Sequence, residues 1–223
     1  MKTLLFLLGL FATCYGKTED LSGKVFVFPK ETATDHVKLI TSKTRFEHVS
    51  VCLRFITDLS RTYGIFSMSS PAQSNAFLLF KESTSNSIEV AVNGISIHFK
   101  SLSFPPNTWH YLCSTWSSSN GLAQLWLDGK PSIRRFVGNS VITGAPITLL
   151  GQEQDTYGGG FDKDQSFVGM ISQVHMWDHV LPASEIRRYS QGKHITPGNV
   201  FNWKDLNYMI SGSILLEEES EVV

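Results

Sequence analysis

Net charge is nearly absent from this 223-residue chain: 19 basic and 20 acidic side chains leave a formal charge of -1 at pH 7. No bulk field draws it to nucleic acid or to an anionic membrane, so an anionic ligand has to be held by a local device such as a bound cation. Long apolar runs are also missing. The stretch Leu4 to Ala12 is too short to span a bilayer, and no later segment is long and apolar enough. There is no internal repeat and no low-complexity segment, and without an Asn-x-Ser/Thr sequence N-glycosylation is not expected. The histidines, His36, His48, His98, His110, His175, His179 and His194, show no zinc-protease or triad spacing. No nucleophile elbow or phosphate loop occurs, and Gly158-Gly-Gly160 lacks the strand-to-helix context of a dinucleotide fingerprint.

What is present suits one large domain. The chain is 42% hydrophobic, enough to bury a substantial core. Residues 1–16 read as a secretory signal: Lys2 supplies the positive region, Leu4 to Ala12 the apolar run, and Cys14-Tyr15-Gly16 the small residues before a cut. Cleavage is expected after Gly16, with Lys17 as the other candidate, leaving residues 17–223 as the secreted domain. Loss of Cys14 leaves Cys52 and Cys113 as an even pair in an oxidising compartment, where a disulfide is favoured over two buried thiols. Closing that loop stabilises the fold by roughly 4 kcal/mol on the chain-entropy view.

Short strands dominate. Lys24 to Pro29, Ser50 to Thr57, Ala76 to Phe80, Ile88 to Val92, Ile95 to Phe99, Leu122 to Leu127, Pro146 to Leu150 and Val168 to Trp177 read as strands, Ser50 to Thr57 as a half-exposed one. Asn93-Gly94 and Asp128-Gly129 read as hairpin turns. Only Pro182 to Gln191 looks helical, with proline in the first turn, Glu185 early, Arg187 and Arg188 late, and Gly192 as the stop. Many short strands and a single helix spell an all-β sandwich or jelly roll. The tail Glu217 to Glu221 is expected to be solvated and frayed.

Between two of these strands runs Gly151 to Gly169, which carries Glu153, Asp155, Asp162, Asp164, Gln154 and Gln165. Closely spaced carboxylate and amide oxygens suit Ca²⁺, which takes six to eight oxygen ligands. Gly158 to Gly160 let the chain double back so that Gln165 returns to an ion that Glu153 and Asp155 begin to bind. The run has no Cys or His, which argues against zinc. A solvated polar loop is the plain alternative. Asp162-Lys-Asp164 opens like an EF-hand loop but lacks its glycine and terminal Glu.

Cys113-Ser-Thr-Trp-Ser-Ser118 resembles the pentraxin signature. Asp20 to Pro29, Gly151-Gln-Glu-Gln-Asp155, Gln165-Ser-Phe-Val-Gly169 and Met176-Trp-Asp178 match the same family, so the likeness runs from about Asp20 to Tyr208 and is nearest to the short pentraxins. The resemblance implies a lectin-like, two-sheet antiparallel jelly roll, a Cys52–Cys113 bridge between the sheets, and five subunits in a flat ring. It also implies two Ca²⁺ ions per subunit on one face, contacting a ligand's phosphate or other anionic group. Carried over by position, the ligands are Asn75, Glu153, the Gln154 carbonyl, Asp155, Asp162 and Gln165, with Glu153 and Asp155 bridging both ions. Relatives engage complement and immunoglobulin receptors on the opposite face, where the Pro182 to Gln191 helix is expected.

Two positions depart from the family pattern. Ser74-Asn75 stands where an Asp-Asn pair is expected, so the inner ion loses a carboxylate and is either more weakly held or absent. With three carboxylates against two divalent ions, the site keeps a positive excess that favours a phosphate counter-ligand. Choline-binding relatives place an acid beside an aromatic wall. Here Phe80 and Leu78 keep the wall, but the acid's position aligns near Ile95, so phosphoethanolamine, other phosphate-bearing ligands or acidic carbohydrates are expected ahead of phosphocholine. The implied function is calcium-dependent, multivalent recognition of microbial or damaged-cell surfaces in innate immunity. Two other classes compete: an adhesion module whose calcium only stiffens a loop, and a jelly-roll glycosidase. The glycosidase pattern Glu-x-Asp-x-x-Glu begins at Glu153 but ends on Gly158, leaving no carboxylate pair across a scissile bond.

Overall fold

Period-two runs of branched and aromatic residues pair into sheets where tight turns bring them together. The computed structural model describes residues 17–83 and 86–219. The signal read over residues 1–16 lies outside the described residues. In chain order the first strands are β1 Lys17–Glu19, β2 Lys24–Phe28, β3 His36–Leu39, β4 Arg45–Phe46, β5 His48–Ile56 and β6 Tyr63–Ser70. Next come β7 Gln73–Lys81, β8 Ile88–Val92, β9 Ile95–Phe99, β10 His110–Ser117, β11 Leu122–Leu127 and β12 Lys130–Phe136. The last are β13 Ile142–Thr143, β14 Ile147–Leu150, β15 Gly169–Trp177, β16 Leu206–Ser211 and β17 Leu215–Glu218.

One sheet has eight strands in the order β1-β16-β3-β14-β6-β7-β8-β9, and the other has seven in the order β12-β11-β10-β5-β15-β2-β17. β13 and β4 form a separate two-stranded ribbon. The pairings are antiparallel, as expected for the two-sheet jelly roll. Both expected hairpins form, with φ of 47° and 77° at Asn93-Gly94 and 50° and 74° at Asp128-Gly129. Phe26, Phe55, Phe66, Phe77, Trp116 and Trp203 fill the space between the sheets.

The helix α1 spans Ala183–Ser190. Pro182 is extended, with φ -61° and ψ 147°, and caps the helix rather than entering it. At the other end Gly192 adopts φ 64°. Its N–H bonds the Tyr189 carbonyl at 2.9 Å and the Lys193 N–H bonds that of Arg188 at 3.0 Å, a paired closure of the last turn. Ile186 and Tyr189 of α1 pack with Trp126, Trp177 and Leu181 over the outer face of the seven-stranded sheet. The arginines of α1 are engaged locally: Arg188 donates from Nη2 to the His194 carbonyl at 2.8 Å, and Arg187 stands 5.9 Å over the Trp126 ring.

Three expectations are corrected. Cys52 and Cys113 are bonded, but not between sheets: they face each other on neighbouring strands β5 and β10 of one sheet, with Cα atoms 4.1 Å apart. The strand around Ser50 to Thr57 is not half-exposed, because its outward side lies beneath α1. The acids Glu217 and Glu218 belong to β17, which pairs with β2, and Glu219 forms an ion pair with Arg54. A frayed tail is therefore excluded up to Glu219, while Ser220 and Glu221 lie outside the described residues.

Candidate metal centre

β14 ends at Leu150 in the eight-stranded sheet and β15 begins at Gly169 in the seven-stranded one. The acidic run is therefore the crossing between sheets, and the Phe167 N–H closes it onto the Gly151 carbonyl at 3.0 Å. Midway, Thr156 and Gly159 exchange backbone bonds of 3.1 and 3.2 Å, so the loop doubles back as expected. Gly160 has φ 77°, and a Cβ there would stand 2.7 Å from the Asp155 Cβ, so only glycine lets the returning limb pass.

The returning limb holds a short turn, Lys163–Gln165, capped by Asp162, whose carboxylate accepts from the Asp164 N–H at 2.9 Å. Arg61 ties this limb down. Its Nη1 donates to the carbonyls of Thr62, Asp164 and Ser166 at 2.8, 3.1 and 2.7 Å, and its Nε to Glu31 at 3.1 Å.

The outgoing limb is pressed against β6. A Cβ on Gly64 would lie 2.9 Å from the Glu153 backbone nitrogen, so a side chain there would push the limb away. Gln154 is fully buried. Its Nε2 donates to the carbonyls of Ser67 and Ile147 at 3.0 and 3.1 Å, and its Oε1 accepts from Ser69 at 2.7 Å. With the side chain so occupied, the backbone carbonyl is the oxygen Gln154 has left for a ligand. Glu153 is 6% exposed, and the Asn75 side chain of β7 hydrogen-bonds its carboxylate. Burial and then the neighbouring Asp155 charge push the Glu153 carboxyl up to about 7, against the Asn75 bond, with Glu89 adding repulsion.

Glu153, Asp155, Asp162 and Asp164 form no ion pair among the described residues. The Asn75 Oδ1 is buried without a hydrogen-bond partner. Other buried polar atoms also lack a partner; what singles out the Asn75 oxygen is its place beside crowded carboxylates, an all-oxygen group that a hard cation fits. Asn75, Glu153 and Asp155 are thus brought together. Asp162 and Gln165 stand on the returning limb, with no hydrogen bond or ion pair to that trio among the described residues. Sequence reasoning missed Arg61, Gly64 and the Ser67–Ser69 pair. None carries a motif, since each meets the loop through contacts made at long sequence distance.

Beside this centre lies the outer face of the eight-stranded sheet. Phe77 and Leu79 of β7 point into the main core, so Leu78 and Phe80 point out, where they cluster with Ala91. Phe80 is 8% and Leu78 2% exposed. The register corrects the placing of the acid near Ile95. Ile95 pairs with Val92, a core residue, and so sits on the wrong row; Ser96, opposite Ala91, shares the Phe80 face. That face does hold an acid. Glu89 lies directly across from Phe80 and accepts from the Ser96 hydroxyl. Glu82 and His98 complete a polar group whose donor atoms all lie within 4.8 Å. Burial, with Glu82 nearby, raises the Glu89 pKa.

A sequence model of the Pentaxin family matches residues 24–218. Serum amyloid P-component of Sus scrofa is 40% identical over 200 residues, which cover 89% of this chain and 88% of the relative. C-reactive protein of Sus scrofa is 41% identical over 206 residues, covering 90% and 89%. In three dimensions the fold resembles a heptameric SAP-like pentraxin from Limulus polyphemus, with a TM-score of 0.80 at 21% identity, covering 88% of this chain and 95% of that one. The chain is a member of the pentraxin family, which is a calcium-binding family. Its likeness to serum amyloid P-component and C-reactive protein places it with the short pentraxins.

Proposed function

We propose that this chain is a secreted, non-enzymatic recognition protein of innate immunity that binds phosphate-bearing or acidic carbohydrate ligands through calcium. The carrying observation is the buried Glu153 beside Asp155 and an unpartnered Asn75 Oδ1, with no ion-paired cation to balance them among the described residues. Asn75, Glu153, the Gln154 carbonyl and Asp155 would hold calcium, with Asp162 and Gln165 brought in from the returning limb. Bound calcium supplies a positive centre for a ligand's phosphate oxygen. Glu89 and Phe80, side by side on the adjoining face, suit the cationic end of a zwitterion such as phosphoethanolamine or phosphocholine, since the acid whose expected loss disfavoured phosphocholine is supplied by Glu89. Glu89 faces an ammonium with a carboxylate, and Phe80 lends an apolar wall.

A single such contact is weak, and repetition on one face of an oligomer multiplies it against a repetitive surface. The edge strand β12 supports an oligomer: Ile133 is 73% and Phe136 63% exposed, with Ile95, 55% exposed, on neighbouring β9. We assign this apolar edge to contact with a second subunit in a ring, five subunits being the expected count. Complement and immunoglobulin receptors remain the expected partners for the α1 face.

The reading is tested by calorimetric calcium titration and by retention on immobilised phosphoethanolamine. Two ions per subunit and calcium-dependent retention are expected. Glu153→Gln and Asp155→Asn abolish retention. Ser74→Asp adds a carboxylate to the inner ion and tightens calcium binding about tenfold. Retention that is indifferent to calcium, or calcium binding unchanged in Glu153→Gln, overturns the proposal. Calcium binding with no retention on any phosphate or acidic carbohydrate leaves the adhesion reading.

A further inference from the structure

Lys81 ends β7 on the row that faces the core. Phe77 and Leu79 point inward before it, its strand partners Tyr63 and Ile88 are buried, and Lys81 itself is only 5% exposed. An ammonium withdrawn from water is normally met by an opposite charge. Lys81 has no ion pair among the described residues. Its Nζ donates to the Glu82 carbonyl and stands 5.8 Å from the centre of the Phe104 ring. Burial lowers its pKa from the usual lysine value.

This lysine lines a cavity of about 310 Å³ at the end of the sandwich. Phe55, Tyr63 and Phe104 give it apolar walls, while Thr57, Ser60 and Asn86 contribute hydroxyl and amide groups. Among the described residues its one carboxylate, Asp58, is exposed. His110 also lines it, but both of its ring nitrogens are engaged, with Asp128 at 2.9 Å and the Pro105 carbonyl at 3.0 Å. The volume falls at the small end of the range for ligand sites, roughly 300–1,000 Å³. None of the proposed calcium ligands lines it. Asn75 is six residues from Lys81 along an extended strand, or about 20 Å.

We propose that this cavity is a second binding site, for a small organic acid with a compact aromatic or apolar body. The carboxylate of the ligand pairs with Lys81, and its body packs between Phe55, Tyr63 and Phe104. The Thr57 hydroxyl is spent on the Val168 carbonyl, so Ser60 and Asn86 are left to offer donors for the remaining oxygen lone pairs. A buried ammonium discriminates sharply between an acid and its neutral amide, because only the acid neutralises it.

Calorimetric titration of the full protein in calcium buffer with phenylacetate, and separately with phenylacetamide, tests this. One phenylacetate per chain is expected at millimolar concentration or below, with the amide at least about tenfold weaker. Lys81→Met, which keeps the chain length and removes the charge, loses phenylacetate binding and keeps calcium-dependent retention on phosphoethanolamine. Glu153→Gln does the reverse, so failure of this site and failure of the calcium reading are distinguishable. Equal binding of acid and amide, undiminished binding by Lys81→Met, or no binding of phenylacetate at millimolar concentration each overturns the proposal. If Lys81→Met fails to fold, the acid-to-amide comparison on the unmodified protein still decides.

Discussion

The two outer faces of this sandwich are treated in opposite ways. Over the seven-stranded sheet, Trp126, Trp177, Leu181, Ile186 and Tyr189 seal the Cys52–Cys113 bridge beneath α1. Even the histidine on that side is stripped of water: His175 stacks on Trp177 at 5.6 Å and meets Tyr189 edge-on at 6.2 Å. Among the described residues no helix covers the eight-stranded sheet, whose outer face keeps Glu82, Glu89, Ser96 and His98 around Phe80. One face is invested in stability, and the other tolerates unbalanced charge. Crowded carboxylates cost folding energy, and the open side is where Glu82, Glu89 and the buried Glu153 gather, the side on which the proposed ligand would bind.

Substitutions on the two faces should therefore separate stability from binding. The largest effect is expected on the sealed side. Joint Cys52→Ala and Cys113→Ala opens a loop of sequence separation 61. It is expected to cost roughly 4 kcal/mol, read as a drop in the guanidinium midpoint. Calcium-dependent retention of the molecules that remain folded should survive.

Next comes acid sensitivity of the same face. Burial holds the His175 imidazole at about 4, against an ordinary 6.5. With the folded value depressed, the unfolded chain takes up its proton first. Stability from this group is complete above about pH 6.5 and drains away toward pH 4, by up to about 3 kcal/mol. His175→Phe should flatten that part of a stability-versus-pH curve; an unchanged slope would show that the imidazole is not shielded by α1.

The smallest effect is expected on the open side. Glu89→Gln removes a half-buried charge that repels Glu82 and keeps an oxygen for the Ser96 hydroxyl. Urea unfolding should move by no more than about 0.5 kcal/mol, toward greater stability if at all, while retention on phosphoethanolamine weakens. A large loss of stability would mean that this face is structural too.

Much was legible in local chemistry. Asn93-Gly94 and Asp128-Gly129 announce their hairpins because only such residues accept two successive positive φ values. The helix announces its end at Gly192 for the same reason. Oxygen-rich composition and glycine turns drew attention to Gly151–Gly169, and the signature residues at Cys113–Ser118 led to the family. The errors lay in facing. Ile95 and Ser96 differ by one residue, and one residue is the whole difference between the core row and the row that carries Phe80 and Glu89. The acid beside Phe80 was missed because Glu89 comes from a different strand, nine residues on.

By itself, the sequence determined what depends on neighbours along the chain: strands, turns, one helix, an acidic glycine-rich loop and membership of a family. Only the tertiary structure decided which residues share a face. It put both cysteines in one sheet, set Arg61 to brace the loop from a hundred residues away, turned Lys81 inward, and left Asn75 with an unmet oxygen. The physical reason is that burial and hydrogen-bond satisfaction are properties of what surrounds a side chain in space. Packing assembles those surroundings from strands far apart in sequence, where no local pattern records them.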